Sequence, residues 1–383
     1  MQDKNYHFDV IIVGAGPAGT TCALALQNSG LKIAIIDKAV FPRDKVCGDA
    51  IPTRAVTVLK KINPKYFEAL AQFEKKEKIT TSRVVVSSGK ELFFHWKSEA
   101  FNCARFEFDN FLFDFVKKET QTSVFENTEI LSIKIQDDVV VLDTYVNHFT
   151  TSIVIGCDGA HSIVAKKLAN FKVNKKMFSG AVRSYQQNIP GNTVNTNEVF
   201  FSQKYTPGYF WLFPVSEHSF NIGFGMLSEI ISLKKINLKK AMVDVVTEFP
   251  ELSQRFTKAG LEFQTDGFGL PMGNGKTNLS GNRFLLCGDA GSLIDPISGA
   301  GIGNAMESSF WAANHVIKYF SNSNFDAQTN KNYDRSVYRE IGKELKKNMR
   351  ILRLSSKFPW LVNLTISCLA KNNFITKYFK KGF

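Results

Sequence analysis

The stretch "DVIIVGAGPAGTTCALALQNSGLKIAIIDKA", Asp9 to Ala39, leaves the fold little choice. An apolar strand, Val10 to Val13, runs into Gly14-x-Gly16-x-x-Gly19, and a helix of small residues follows. A second apolar strand, Lys32 to Ile36, ends at Asp37. Gly14 suits a tight turn, Gly16 lets a diphosphate approach the backbone, and Gly19 lets helix and strand pack closely. The helix N-terminus offers free N–H groups and partial positive charge to phosphates. Asp37, 23 residues beyond Gly14, is spaced to hold a ribose hydroxyl pair. Gly14, Gly16, Pro17, Ala18, Gly19, Asp37 and Lys38 are therefore the first expected cofactor contacts. By itself the motif fits FAD and NAD equally.

Two later stretches repeat a strand-turn-helix plan. "VIGCDGAHSIVAKKL" places Asp158-Gly159 between a short buried strand and a helix. "RFLLCGDAGSLIDPISGAGIGNAMES" runs from a strand, Phe284 to Cys287, through Gly288-Asp289 to a glycine-rich turn that opens a helix near Gly301. In this order and spacing the three motifs resemble the FAD-binding group of flavoprotein monooxygenases and reductases typified by p-hydroxybenzoate hydroxylase, over most of residues 8–330. The resemblance implies FAD as cofactor, with Asp289 at the ribityl chain. It also implies that the helix after Pro296, with Gly299, Gly301 and Ile302, aims its positive end at the flavin. Arg105, in "CARFEFDNFL", corresponds to an arginine that these enzymes place near the flavin and its phosphates. A second GxGxxG unit is not seen, so the reductant is NAD(P)H visiting the flavin face or a protein donor such as reduced ferredoxin.

Two further motifs narrow the branch. "KVCGDAI", Lys45 to Ile51, follows the second strand, and "GYFWLFP" carries a Tyr-x-Trp-x-Phe-Pro pattern from Tyr209 to Pro214. Both resemble the geranylgeranyl reductase family, which saturates isolated double bonds of prenyl chains with FAD. Asp49 stands where that family often has a second glycine, and Ala300 where glutamate is common. In the extended reading of the aromatic run, Tyr209, Trp211 and Phe213 share one face while Phe210 and Leu212 take the other. One face packs on a core; the other suits the wall of a lipid tunnel. An isolated alkene is not polarised, so its reduction develops tertiary carbocation character as a proton arrives and hydride from flavin N5 meets the neighbouring carbon. Aromatic faces stabilise such a centre by up to ~2 kcal/mol when desolvated. Cys47, Tyr209 and Trp211 are thus the expected catalytic residues. Gly48, Tyr209, Trp211, Phe213 and Pro214 are the expected substrate contacts, with Cys47 a proton donor or a positioning group.

Flavin hydroxylases share this plan but usually continue the second motif with Ala-Ala-His, where this chain has Ala290-Gly291-Ser292. Flavin halogenases carry Trp-x-Trp-x-Ile-Pro, and Tyr209 and Phe213 match the reductase pattern better. A monooxygenase or halogenase is the alternative reading; a non-catalytic lipid carrier would not need every FAD motif.

The expected architecture is α/β. A discontinuous Rossmann-type FAD domain takes residues 1–75, 100–170 and 275–330. A substrate domain on an antiparallel sheet takes 76–99 and 171–274, with "RVVVSSGKELFFHW" as a hairpin turning at Ser87-Ser88-Gly89. A helical segment follows from 331 to 383. With 383 residues, 44% hydrophobic, the chain can bury a core of that extent.

The six scattered cysteines show neither a disulfide framework nor a zinc pattern, the histidines show no metal spacing, and the first strand begins too early for a signal peptide. Together they suggest a cytoplasmic protein that holds no metal. The net charge of +13 concentrates at the end: from Lys343 onward there are ten Lys or Arg against the single acid Glu344. These alternate with Ile351, Leu352, Leu354, Phe358, Trp360, Leu361, Phe374, Tyr378 and Phe379. The pattern fits helices lying on the anionic inner face of a membrane, or a C-terminal cap with a solvated basic face. No recognition motif for nucleic acid accompanies it.

Overall fold

The computed structural model describes residues 4–371 apart from 257–259, 261 and 323; the tail residues Phe374, Lys377, Tyr378, Phe379, Lys380 and Lys381 lie outside the described residues. Two eight-stranded sheets organise the chain. The first carries five parallel strands in the spatial order Phe284–Leu286, Asn147–Gly156, Lys4–Val13, Ile33–Ile36, Ser123–Phe125. Ser280–Gly281 closes one edge antiparallel, and the hairpin Ser132–Gln136/Val139–Asp143 extends Asn147–Gly156. Val10, Ile11, Ile12 and Val13 are all buried, as befits a parallel strand covered on both faces.

One face of this sheet packs on the helices Pro17–Leu26, Thr53–Ile62, Arg105–Glu119, Ile302–Tyr319 and the start of Ala327–Lys357. The opposite face packs on the hairpin and the short helix Ile163–Leu168.

The second sheet runs in the order Asp266–Pro271, Phe178–Gln187, Ser219–Leu227, Tyr209–Pro214, Thr196–Phe201, Glu77–Val86, Glu91–Asn102, Ala50–Ile51. All its pairings are antiparallel except Thr196–Phe201 with Glu77–Val86. The hairpin turn falls at Ser87–Lys90, where Gly89 takes φ +73° and donates to the Val86 carbonyl (2.8 Å). The sheet's outer face buries Phe200, Phe210, Leu212, Ile222 and Phe224 against the helices Leu238–Glu248 and Pro250–Phe256. Its inner face turns towards the first sheet. The strand Ala50–Ile51 joins this second sheet although its neighbours belong to the first body, so the Lys45–Ile51 loop crosses between the two.

Two helices close the described chain: Ala327–Lys357, 31 residues long, and Trp360–Lys371.

Candidate functional site

The glycine loop is built as its spacing dictates. Gly14 takes φ +99°, and a Cβ there would lie 2.4 Å from the Cys157 carbonyl oxygen; a Cβ on Gly19 would lie 1.8 Å from the Gly14 oxygen. The helix Pro17–Leu26 starts at Gly16 with Pro17 in its first turn, leaving free N–H groups at its end. Asp37 closes the loop, its two carboxylate oxygens accepting from the Ala15 amide (2.6 Å) and the Ala39 amide (2.8 Å). Each oxygen keeps a second lone pair for a hydroxyl donor. Ala18 is buried in the helix, and Lys38 is exposed just beyond Asp37.

Two arginines face the end of that helix. A Cβ built on Gly16 would meet Arg43 Nη2 at 3.4 Å and Arg105 Nη2 at 3.8 Å, so the space above Gly16 is bounded by guanidinium. Arg105 is buried and donates through Nε and Nη2 to both oxygens of Asp109 (2.6 Å each), to which Arg43 also donates (2.6 Å). Burial works against the charge of Arg105, and Asp109 more than offsets it, holding the guanidinium pKa above its ordinary value. Two cations on one carboxylate leave a net positive charge at a helix N-terminus. That combination suits a diphosphate, and the glycine loop is shaped for the backbone to approach one. The residues fit FAD. Arg43 and Asp109 escaped the sequence reading; the position of Arg43, just upstream of "KVCGDAI", was the only local signal for either.

The second and third motifs lie close by. Asp158 accepts from the Ile163 and Val164 amides (2.7 and 3.3 Å) at the start of the helix Ile163–Leu168, with Gly159 at φ +75° between. Gly288 takes φ +57°, and a Cβ there would lie 2.7 Å from Ala305 Cβ. Asp289 stands at the start of the helix Ile302–Tyr319: its Oδ1 lies 3.2 Å from a Cβ built on Gly301. Asp289 Oδ2 accepts from Lys45 Nζ at 3.3 Å, a contact the sequence did not suggest. The turn Pro296–Gly301 is tied down by Asp295, which accepts from the Ile297 and Ser298 amides and from Asn348 Nδ2 (3.0, 2.8 and 2.6 Å).

The loop after Arg43 joins the two sheets. Asp44 accepts from Arg183 (2.6 Å), Cys47 lies beside the Arg105 guanidinium, and a Cβ on Gly48 would touch Phe213 (3.6 Å) and Trp211 Nε1 (3.8 Å). Cys47 is half-buried; Cys22, Cys103, Cys157 and Cys287 are buried, and no disulfide forms.

The aromatic strand divides as its period requires. Phe210 and Leu212 enter the outer core, while Tyr209, Trp211 and Phe213 face inward, neighbouring rings 6.3 and 6.4 Å apart. Trp211 packs over Gly223 on the neighbouring strand, where a Cβ would come within 2.2 Å of the indole. The Tyr209 hydroxyl donates to the Ser298 carbonyl (2.6 Å), and the Pro214 carbonyl accepts from Asn102 (2.8 Å). Between Tyr209, Trp211 and the Pro296–Gly299 turn lies a cavity of about 50 Å³, completed by Ser179, Ala181, Met226, Met272 and Leu352. That volume is well below the ~300 Å³ at which ligand pockets begin. The flexible side chains Met226, Met272 and Leu352 line this space opposite the aromatic wall.

The polar groups gather at the other end of the same inner face. Arg183 and Tyr185 follow Ala181 on their strand, Asn221 precedes Gly223 on its own, and all three meet the Cys47 loop. Among the described residues no cluster of His, Cys, Asp or Glu is arranged to hold a metal.

Residues 7–226 match the family model described as "FAD binding domain". The chain is 27% identical over 329 residues to a menaquinone reductase of Mycolicibacterium smegmatis, covering 81% of this chain and 76% of that one. It is 27% identical over 362 residues to a digeranylgeranylglycerophospholipid reductase of Methanocella arvoryzae, covering 91% and 88%. Its fold is shared with a geranylgeranyl bacteriochlorophyll reductase-like protein of Thermoplasma acidophilum at a TM-score of 0.79 and 20% identity, over 91% of this chain and 87% of that one. The cradle and the motifs agree with the family model: the chain belongs to the FAD binding domain family and is an FAD-dependent oxidoreductase, similar in sequence and fold to reductases named for geranylgeranyl lipids.

Proposed function

We propose that this chain saturates isolated double bonds of an isoprenoid chain, using FAD bound across the glycine loop and the Pro296–Gly301 turn. Residues 1–75, 100–170 and 275–330 would form the cofactor body, 76–99 and 171–274 the substrate body. The observation that carries the reading is the cavity pressed between the Tyr209/Trp211 face and the turn after Asp295. Gly14, Gly16, Pro17, Ala18 and Gly19 would seat the diphosphate with Arg43 and Arg105, Asp37 and Lys38 the adenosine end, and Asp158, Gly159, Gly288 and Asp289 the ribityl portion. Reduced FAD supplies hydride. The residues of the chain do the rest. Tyr209, Trp211 and Phe213 give an apolar tail its wall and place ring faces where positive charge develops. Excluded water keeps that charge from being captured as an alcohol. Cys47, beside Arg105 and behind Gly48, holds a thiol proton at the edge of this wall.

The relatives named for menaquinone and for digeranylgeranylglycerophospholipid both act on molecules with prenyl chains, which supports an isoprenoid lipid as substrate. A lipid substrate also gives a use to the C-terminal helices. Ile351, Leu354, Phe358, Trp360 and Leu364 are exposed there among the exposed Arg350, Arg353 and Lys357. We read this as a surface that rests on the cytoplasmic face of an anionic membrane; no described helix is long and apolar enough to cross one.

The test is anaerobic. The holoprotein is reduced with dithionite and offered geranylgeranyl lipids or a polyprenyl quinone. Flavin reoxidation with gain of two hydrogens per double bond supports the reading. A flavin that stays reduced until air is admitted, with oxygen then entering the product, replaces it with a monooxygenase. Substituting NADPH and then reduced ferredoxin for dithionite identifies the electron donor.

A further inference from the structure

Asp49 is wholly buried, at 0% exposure, and its backbone is left-handed with φ 63°, a conformation that strains an L-residue. Its Oδ2 accepts two hydrogen bonds, from the Tyr185 hydroxyl (2.5 Å) and from Asn221 Nδ2 (2.6 Å); its Oδ1 has no partner among the described residues. A buried carboxylate with an empty oxygen in strained backbone is a poor device for stabilising a fold.

What Asp49 does accomplish is to fix Asn221. The Asn221 amide donates from Nδ2 to the Cys47 carbonyl (2.7 Å) as well as to Asp49, while its oxygen accepts the Trp211 indole N–H (2.8 Å). An asparagine offers its oxygen on one side and its NH₂ on the other. With the carboxylate of Asp49 and the carbonyl of Cys47 both demanding donors, Asn221 can present only its oxygen to Trp211. One side chain thereby ties the Cys47 loop to the aromatic wall.

We propose that Asp49 is a positioning residue for the reaction at this site: its ionised carboxyl locks Asn221 so that Trp211 and Cys47 keep one relative geometry, and uptake of a proton loosens that brace. The inference rests on the reading of Trp211 and Cys47 as the substrate wall. Burial pushes this carboxyl up to about 6, against the hydrogen bonds of Tyr185 and Asn221 and the charges of Arg183 and Arg105. The ionisable groups around it are accounted for. Tyr185 and Arg183 come from the strand Phe178–Gln187, and Arg105, paired with Asp109, from the helix Arg105–Glu119. Cys103 precedes that helix and donates its backbone amide to the Asp49 carbonyl, and Asp44, paired with Arg183, and Cys47 lie on Asp49's own loop. The brace is therefore closed above about pH 6 and loosened below it.

The experiment uses the FAD-loaded full chain, wild type and Asp49→Asn, titrated from pH 4.5 to 8.5. Asparagine tolerates the left-handed backbone and offers an oxygen to Tyr185 and Asn221 without a charge to titrate. Two quantities are followed: the absorbance of the bound flavin, and the rate at which a prenyl lipid reoxidises it after anaerobic reduction. In the wild type both are expected to follow a one-proton transition near pH 6, the rate falling at least tenfold on the acid side. Asp49→Asn is expected to abolish the transition in both. Tyr185→Phe, which removes one hydrogen bond to the ionised carboxyl, is expected to move the transition to higher pH. A transition that survives unchanged in Asp49→Asn, or a wild type flat across this range, overturns the proposal. If Asp49→Asn does not fold, an unmoved transition in Tyr185→Phe overturns it equally. If no prenyl lipid reoxidises the flavin, the functional reading has failed, while the flavin absorbance still decides the role of Asp49.

Discussion

Replacing Asp49 by Asn should make the protein more stable at neutral pH and leave it nearly unchanged in acid. The carboxyl sits at about 6 in the folded chain, against an ordinary value of 3.8. A carboxyl raised on folding contributes stability that is complete below the unfolded value and is lost as pH climbs through the folded one. At roughly 1.4 kcal/mol per pH unit, ionising Asp49 at pH 7.5 costs about 3 kcal/mol. An unfolding entropy of ~2.1 cal/mol/K per residue gives ~0.8 kcal/mol/K for a chain of this length, so that cost corresponds to about 4 °C in Tm. Thermal melts of wild type and Asp49→Asn across pH 4 to 8 should therefore diverge, from near coincidence at pH 4 to a gap of about 4 °C in favour of the variant at pH 7.5. The difference between the curves isolates Asp49, because every other group titrates in both proteins. A gap independent of pH, or one that favours the wild type as pH rises, would refute both the burial argument and its sign.

Other perturbations probe other parts of the molecule. Glu198 is buried and accepts from Arg83 (3.1 Å) and Arg255 (2.6 Å); Glu198→Ala leaves the buried Arg255 without its carboxylate, while Arg83 keeps Glu91 and Glu251, and should cost about 3–5 kcal/mol in a urea or thermal melt. Gly19→Ala places a methyl 1.8 Å from the Gly14 oxygen, so the purified protein should contain no FAD by absorbance. Gly223→Ala drives a methyl against Trp211 at 2.2 Å. It should retain FAD, lose about 1–3 kcal/mol of stability by overpacking, and lose turnover with prenyl lipids; unaltered turnover would show that the aromatic wall takes no part. Reversing charge at Arg350, Arg353 and Lys357 together should abolish sedimentation with anionic vesicles and leave the flavin spectrum unchanged.

The parts of this fold legible in the sequence are those whose causes are local. Gly14 and Gly19 announce their turn because only glycine tolerates the 2.4 and 1.8 Å approaches found there. The two faces of Tyr209–Pro214 follow from a period of two, and the hairpin at Gly89 from its turn chemistry. The polar half of the site was not legible. Arg43 meets Asp109 across 66 residues, Asp44 meets Arg183 across 139, and Asn221 reaches back 174 to Cys47. No periodicity links such partners; Arg43 meets Asp109 when the helix Arg105–Glu119 packs on the first sheet, and the other two pairs form only when the second sheet meets the Cys47 loop. The cavity was only half legible for a related reason. Its aromatic wall could be read from the strand, but the rest of its lining includes Met226, Met272 and Leu352, from three separate elements whose meeting is a tertiary event.

The long helix Ala327–Lys357 has a bearing on how such an enzyme can diversify. Near its start, Asn330 donates to the Gly281 carbonyl at the edge of the cofactor sheet; Asn348 grips Asp295; and four residues later Leu352 enters the cavity. At 1.5 Å per residue the helix spans about 45 Å, so one wall of the cavity beneath Tyr209 and Trp211 hangs from the first sheet's side of the molecule and not from the second sheet. Exchanges along one stripe of that helix can lengthen or shorten the chamber while the glycine loop and the arginine pair stay as they are. Under the function proposed above, chain-length preference and redox chemistry then become separately heritable traits, open to selection one at a time.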